Sequence, residues 1–229
     1  MSKNNPKATL YKYVNTSFLE ETIDNGYLYL SDGNNFNDPF ELRQIDRETE
    51  ETNFIEGLHI LCLTNSFRNK LMWSHYADSH KGVCLTVEIP SLHIYPVCDT
   101  GRRIYSDNNI DDIINNAKKG NKRNLRKDYS ILSREKKIAL IKDQNWNYEK
   151  EYRMVFDHND EQRLIKKECD NGEIKWFLPV KIKNIYLGVN FDLDSNRGVI
   201  EQCREKGISI KRMVLSNQNY ALVVRELES

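Results

Sequence analysis

Apolar and polar positions along the chain fall mostly into short runs of period two, the spacing of half-buried strands. Such runs cover Leu10–Tyr13, Tyr27–Ser31, His59–Asn65, Gly82–Ile89, Arg102–Ser106, Tyr152–Phe156, Ile174–Val180, Ile182–Val189, Ile208–Ser216 and Ala221–Leu227. Between them, helical spacing predicts Ser17–Asn25, with Ser17 as cap and Gly26 as stop, then Asn69–Asp78, Ile110–Lys118, Asn124–Lys142 and Ser195–Lys206. The alternating apolar positions of the best strands put Leu61, Leu63, Val83, Leu85, Val87, Met154, Phe156, Ile185, Leu187 and Val214 in the core.

This pattern reads as one α+β domain over residues 1–229, with mixed, mostly antiparallel sheets forming a central cleft and helices at the periphery. The stretch from about 107 to 143 is rich in Asn, Lys and Asp and offers few apolar helix positions. It is expected to be a polar helical insertion lying over the sheet, a candidate lid. Its basic cluster, Lys118, Lys119, Lys122, Arg123, Arg126 and Lys127, reads either as a solvated helix end or as a phosphate contact.

Charge narrows the partners. With 34 basic and 34 acidic side chains in 229 residues the chain carries no global field to attract nucleic acid or an anionic membrane. The 5 cysteines are widely spaced, without a C-x-x-C pair, and read as reduced thiols rather than a disulfide framework or zinc knuckle. The start, Met1–Thr9, has no apolar signal region, and no run approaches the ~20 apolar residues that span a bilayer, so a cytoplasmic location without membrane contact is expected. No Gly-rich phosphate loop is present, which sets P-loop and Rossmann binding aside.

Three segments could carry chemistry. In Asn147-Tyr148-Glu149-Lys150-Glu151-Tyr152-Arg153, strand alternation puts Glu149, Glu151 and Arg153 on one face and Lys150, Tyr152, Met154 and Phe156 on the other. Two neighbouring carboxylates repel, which would raise the pKa of one and suit it to acid or base work, with Arg153 holding the other ionised or binding an anion. An exposed face of cross-strand ion pairs fits the same residues. The second segment, Phe36-Asn37-Asp38-Pro39-Phe40-Glu41, makes a turn in which Asn37 and Asp38 either contact a ligand or satisfy their own backbone, with the flanking aromatics burying it. The third, Leu71 to Gly82, is a helix running into a strand; Trp73 and Tyr76 pack on the sheet, and His75 is a structural or ligand-contacting histidine. His75 and His80 are five apart rather than the four of a zinc helix, so no metal site is expected there.

Together, Leu10-Tyr11-Lys12-Tyr13, Leu28-Tyr29-Leu30-Ser31 with the Phe36–Glu41 motif, Met72-Trp73-Ser74-His75-Tyr76-Ala77 with Lys81-Gly82, and Trp146–Arg153 resemble the bacterial family catalogued as domain of unknown function 2971. The likeness runs through the Ile185–Gly188 strand, the Ser195–Lys206 helix and the last two strands. A further similarity, in the order of elements, is to ADP-ribosyltransferases, which bind NAD between two small sheets. That similarity implies Glu151 as catalytic carboxylate and Glu149 as the group that orients the acceptor, beside Arg153. Tyr13, Lys12 and Ser31 would line the NAD site, with Asn37, Asp38, His75 and Tyr76 as further contacts; Lys12 stands where those enzymes often use Arg or His.

The expected function is therefore transfer of ADP-ribose from NAD as substrate, without metal, as in a bacterial toxin or defence effector. The partner would be NAD or another nucleotide-like small molecule, and the sequence names no macromolecular acceptor. Two alternatives stand beside it: a non-catalytic ligand-sensing module, and a nuclease with Asp38, Glu88 and Glu149 or Glu151 around Mg²⁺.

Overall fold

A computed structural model describes residues 6–120 and 127–227. The class is α+β with mostly antiparallel pairing. The chain divides into two compact units, each assembled from separated stretches: Met1–Leu28, Leu63–Leu92 and Leu178–Ser229 in the first, Tyr29–Cys62 and His93–Phe177 in the second.

The first unit is built on the strand Val83–Pro90. Its sequence VCLTVEIP is apolar on both faces, and every residue from Val83 to Val87 is buried, as for a strand covered on both sides. Lys7–Val14 pairs with it antiparallel along its whole length, from Lys7 opposite Pro90 to Val14 opposite Val83. Lys181–Leu187 pairs antiparallel on its other side. Ser209–Leu215 then joins Lys181–Leu187 in parallel, which requires a crossover, and the helix Arg197–Glu205 supplies it. Leu222–Glu226 closes this edge by antiparallel pairing with Ser209–Leu215.

The expected core residues of this unit are buried, with one exception. Val214 is only partly covered and Met213 is fully buried instead. A strand's faces alternate, so an error of one residue in phase exchanges the inward and outward sets. The helix Leu19–Asn25 begins later than expected: Asn15, not Ser17, caps a short 3₁₀ turn over Thr16–Phe18 by accepting from the Ser17 amide at 3.0 Å. Gly26 ends the helix in the left-handed conformation, as expected.

A tight turn after the helix Lys70–Tyr76 departs from ordinary backbone. Asp78, Ser79 and His80 have φ of 44°, 52° and 68°, three successive non-glycine residues in the left-handed region. Two glycines accommodate it. A Cβ on Gly188 would stand 2.0 Å from the His80 carbonyl oxygen, and one on Gly82 would stand 2.4 Å from that of Val14. The turn is pinned from outside by the Asn190 amide, which donates to the His80 carbonyl at 3.0 Å.

The second unit has short strands around an apolar cluster. Arg43–Ile45 pairs with Thr52–Phe54, Glu151–Phe156 with Tyr95–Pro96, and Ile165–Glu168 with Ile174–Pro179, all antiparallel, while Cys98–Thr100 and Ile141–Asp143 run parallel. The cluster holds Leu42, Leu58, Ile60, Tyr95, Ile104 and, from the 107–143 stretch, Ile110, Ile114, Tyr129 and the run Ile138–Ile141. The polar stretch thus supplies a large share of the apolar cluster.

Two expected elements in this unit differ. Arg102–Ser106 is not a strand; it makes a single bridge, Ile45 with Tyr105. The long helix expected over Asn124–Lys142 is a short helix, Arg134–Ile138, capped by Ser133 and followed by the strand Ile141–Asp143. Four successive apolar residues, Ile138–Ile141, cannot all sit on one stripe of a surface helix, and burial resolves the run as a turn into a strand. Residues 124–126 of that helix, and Lys122, Arg123 and Arg126 of the basic cluster, lie outside the described residues; Lys118 lies 4.0 Å over the Tyr129 ring. Among the described residues no helix is long and apolar enough to cross a membrane.

Candidate functional site

The strand Glu151–Phe156 keeps part of the alternation its sequence predicts. Glu151 and Arg153 are buried on one face, and Met154 and Phe156 are buried on the other. Glu149 does not share the strand. Residues Gln144–Glu149 form a 3₁₀ turn that ends at Lys150, whose φ of 50° is left-handed, and the strand starts only after it. That kink is what lets Glu149 and Glu151 approach the same cation, Lys142, at 2.5 and 3.1 Å.

The result is a closed network. Arg153 binds Glu151 with two nitrogens, Nε to Oε1 at 2.7 Å and Nη2 to Oε2 at 2.9 Å. Arg153 Nη2 also donates to Glu41 Oε2, and Glu41 Oε1 lies 3.0 Å from Lys142 Nζ. Arg153, Glu41, Lys142 and Glu151 thereby form a ring of alternating charge, with Glu149 attached at Lys142. The fork of Arg153 is completed by Nη1 donating to the Ala139 carbonyl at 2.8 Å, and its guanidinium lies 5.0 Å over the Phe36 ring. Side-chain exposure is 1% for Arg153, 3% for Glu41, 6% for Lys142 and 7% for Glu151, so water takes almost no part.

Electrostatics follows from that geometry. Burial pushes the Glu151 carboxyl up, but the charges of Arg153 and then Lys142 outweigh it, with Cys62 contributing, and hold Glu151 well below the usual carboxylate range. Burial likewise disfavours charge on Lys142, yet Glu151, Glu41 and Glu149 keep it an ammonium more firmly than usual despite Arg153. The sequence reading expected a repelling carboxylate pair with one raised pKa. For Glu151 the charges of Arg153 and of Lys142, which it shares with Glu149, override that repulsion.

Beside the network lies a cavity of about 280 Å³, lined among others by Asp38, Phe40, Glu41, Arg43, Arg102 and Arg103. Lys142 lines it too, so the network forms part of its wall. Asp38 is buried; its Oδ1 accepts from the Phe40 amide at 2.9 Å, an Asx turn, while Oδ2 accepts no hydrogen bond among the described residues. The flanking aromatics were expected to bury the turn; Asp38 is buried, while Asn37 and Pro39 are exposed and Phe40 is 57% exposed, with Arg103 over its ring at 4.3 Å. Arg43 anchors its Nε on the Pro39 carbonyl at 2.8 Å. Leu42, between Glu41 and Arg43, has φ of 55°, so both network kinks, at Leu42 and Lys150, sit on residues that ordinarily avoid that region.

The remaining expected site residues are distributed as follows. Ser31 bridges to Ile60 through its backbone, and its Oγ accepts from the Gly33 amide at 3.0 Å. Asn37 is exposed. Lys12, Tyr13, His75 and Tyr76 belong to the first unit. There Tyr13 is buried, donates its hydroxyl to the Ser66 carbonyl at 3.0 Å and meets the Trp73 ring edge-on at 5.2 Å; burial pushes its phenol well up. Lys12 is half-buried opposite Leu85, and exposed His75 sits 6.4 Å from the Tyr76 ring. Glu88, which the nuclease alternative needs, pairs with Lys183 and Lys7 at 3.4 and 3.6 Å. Among the described residues no group of three His, Cys, Asp or Glu side chains is disposed to hold a metal ion.

Residues 72–154 match the model of a family described as protein of unknown function (DUF2971). The match takes in Lys142, Glu149, Glu151 and Arg153 and stops short of Asp38 and Glu41. No curated protein and no solved structure matches the chain.

Sequence reasoning missed Lys142, Glu41 as a network member, and the three cavity arginines. Lys142 carried one signal: a cation set directly after the apolar run Ile138–Ile141. The arginines carried none, because which side chains gather around a cavity depends on how distant segments fold together.

Proposed function

We propose that the second unit is a ligand-sensing module that binds a small nucleotide-like anion, NAD or a mononucleotide part of it. The observation that carries this reading is the division of charge around the cavity. Lys142, Glu41, Glu149, Glu151 and Arg153 satisfy one another, whereas Arg43, Arg102 and Arg103 line the space beside them. Arginine forks suit phosphate or carboxylate oxygens, and a guanidinium lying on an aromatic ring, as Arg103 does on Phe40, offers a flat cationic surface on which heterocyclic bases stack. A cavity of about 280 Å³ is at the small end of ligand pockets, roughly 300–1,000 Å³, and favours a mononucleotide-sized group over a whole dinucleotide.

Binding is favoured over transfer because Glu151 spends both carboxylate oxygens on Arg153 and Lys142. A transferase would need that charge to face a developing ribosyl cation. The buried network instead serves as a rigid wall that fixes the cavity.

Thermal unfolding with AMP, nicotinamide mononucleotide, NAD and inorganic phosphate tests the reading. At a hundredfold excess over Kd a ligand specific to the folded state adds about 2.7 kcal/mol. A rise in midpoint with at least one nucleotide, lost in Arg102→Ala/Arg103→Ala, is the expected result. No shift at millimolar ligand would overturn the binding reading, and release of nicotinamide from NAD would restore the transferase.

A further inference from the structure

We propose that the Oδ2 oxygen of Asp38 is a ligand acceptor, which restricts the cavity to anions that also carry an N–H donor. This inference rests on the binding reading above and adds the chemical class it selects. Asp38 is 4% exposed and lines the cavity, and Oδ2 is buried without a hydrogen bond from any described residue. Its twin oxygen is used: Oδ1 holds the Phe40 amide at 2.9 Å and the Asp38 carbonyl accepts from the Glu41 amide at 3.2 Å. The side chain is therefore locked in place by its own turn, and the open valence belongs to one atom.

A buried acceptor left unpaired costs the folded protein the desolvation of that group, more so on a carboxylate. A locked Asx turn could have been made with both oxygens exposed or with Asn. The arginines around the cavity would attract an anion, but an anionic group set against Oδ2 would be repelled, so the two features together require a ligand with a negative end and a donor end. Exocyclic amino and carboxamide N–H groups of nucleotides supply that donor. Oδ2 is shielded from solvent, so a ligand must displace the atoms that cover it in order to reach it.

The test compares matched pairs by calorimetric titration. AMP is set against purine riboside 5′-monophosphate, which lacks the amino group, and nicotinamide mononucleotide against nicotinic acid mononucleotide, whose carboxylate replaces the carboxamide. The two pairs distinguish an adenine from a nicotinamide source of the donor. Wild-type protein should prefer the donor-bearing member of one pair by roughly 10- to 100-fold, the range of a hydrogen bond to a charged group. Asp38→Asn keeps an oxygen for the Phe40 amide and replaces the open acceptor with an NH₂ group, so the preference should collapse or reverse. Equal affinity of wild type for both members of both pairs overturns this inference while leaving anion binding standing. So does a preference that persists in Asp38→Asn. Failure of wild type to bind any of the four overturns this inference, and failure to bind NAD as well overturns the binding reading with it. The comparison on wild type decides the matter even if the variant does not fold.

Discussion

Replacing Arg153 by methionine probes the network at its most buried member. The substitution keeps an unbranched apolar stem while removing the guanidinium that Glu151, Glu41 and the Ala139 carbonyl share. With Arg153 gone, three carboxylates face Lys142 alone in a site where side-chain exposure is 7% or less. Breaking one partner of a buried ion pair costs about 3–5 kcal/mol, because the charge left behind stays desolvated. For a chain of this size each kcal/mol moves the thermal midpoint by about 2–4 °C, so a fall of roughly 6–20 °C is expected.

The pH dependence of that loss is specific. Glu151 has a lower pKa folded than unfolded, so its contribution is fully present above the ordinary carboxylate pKa of about 4.3 and is lost as pH falls below it toward the folded value. In Arg153→Met the same carboxyl is buried without its main counter-charge, its folded pKa rises, and its protonation relieves the variant. The stability gap between wild type and variant should therefore be widest near pH 7 and narrow as pH falls to about 4. Urea unfolding from pH 7 to 4 measures it. A gap under ~1 kcal/mol at pH 7, or one that stays constant over this range, would refute the account of a mutually dependent buried network. Adding Glu151→Gln to Arg153→Met should recover part of the loss, since the two residues are in contact and their effects should not add.

Two further variants address the first unit. Gly188→Ala would place a Cβ 2.0 Å from the His80 carbonyl oxygen, a backbone atom that cannot swing aside, and should destabilise by at least ~1–3 kcal/mol in urea unfolding; an unchanged midpoint would mean the left-handed turn is free to move. Tyr13→Phe removes the hydroxyl that donates to the Ser66 carbonyl while keeping the ring against Trp73, and should cost about 1 kcal/mol by the same measurement, with no loss counting against that hydrogen bond.

What the sequence determined on its own was local and periodic. The run Val83–Ile89 announced a strand, though not its burial on both faces, and Gly26 marked a helix stop, because period and turn chemistry are set by neighbours in the chain. It also singled out Glu151, Arg153 and Asp38 as polar side chains too costly to leave idle. Their partners were decided by tertiary structure. Glu41 meets Arg153 across 112 positions of chain, a pairing no local spacing encodes. Glu149 reaches Lys142 only because Lys150 adopts a left-handed conformation that strand alternation does not foresee. Met213 displaced Val214 from the core because the two positions differ only in phase, and the phase was set by pairing with Lys181–Leu187 and Leu222–Glu226. The Asn- and Lys-rich stretch looked peripheral by composition, yet its few apolar residues, Ile110, Ile114 and Ile138–Ile141, pack together. Burial depends on which side chains meet, and composition counts them without saying where they go.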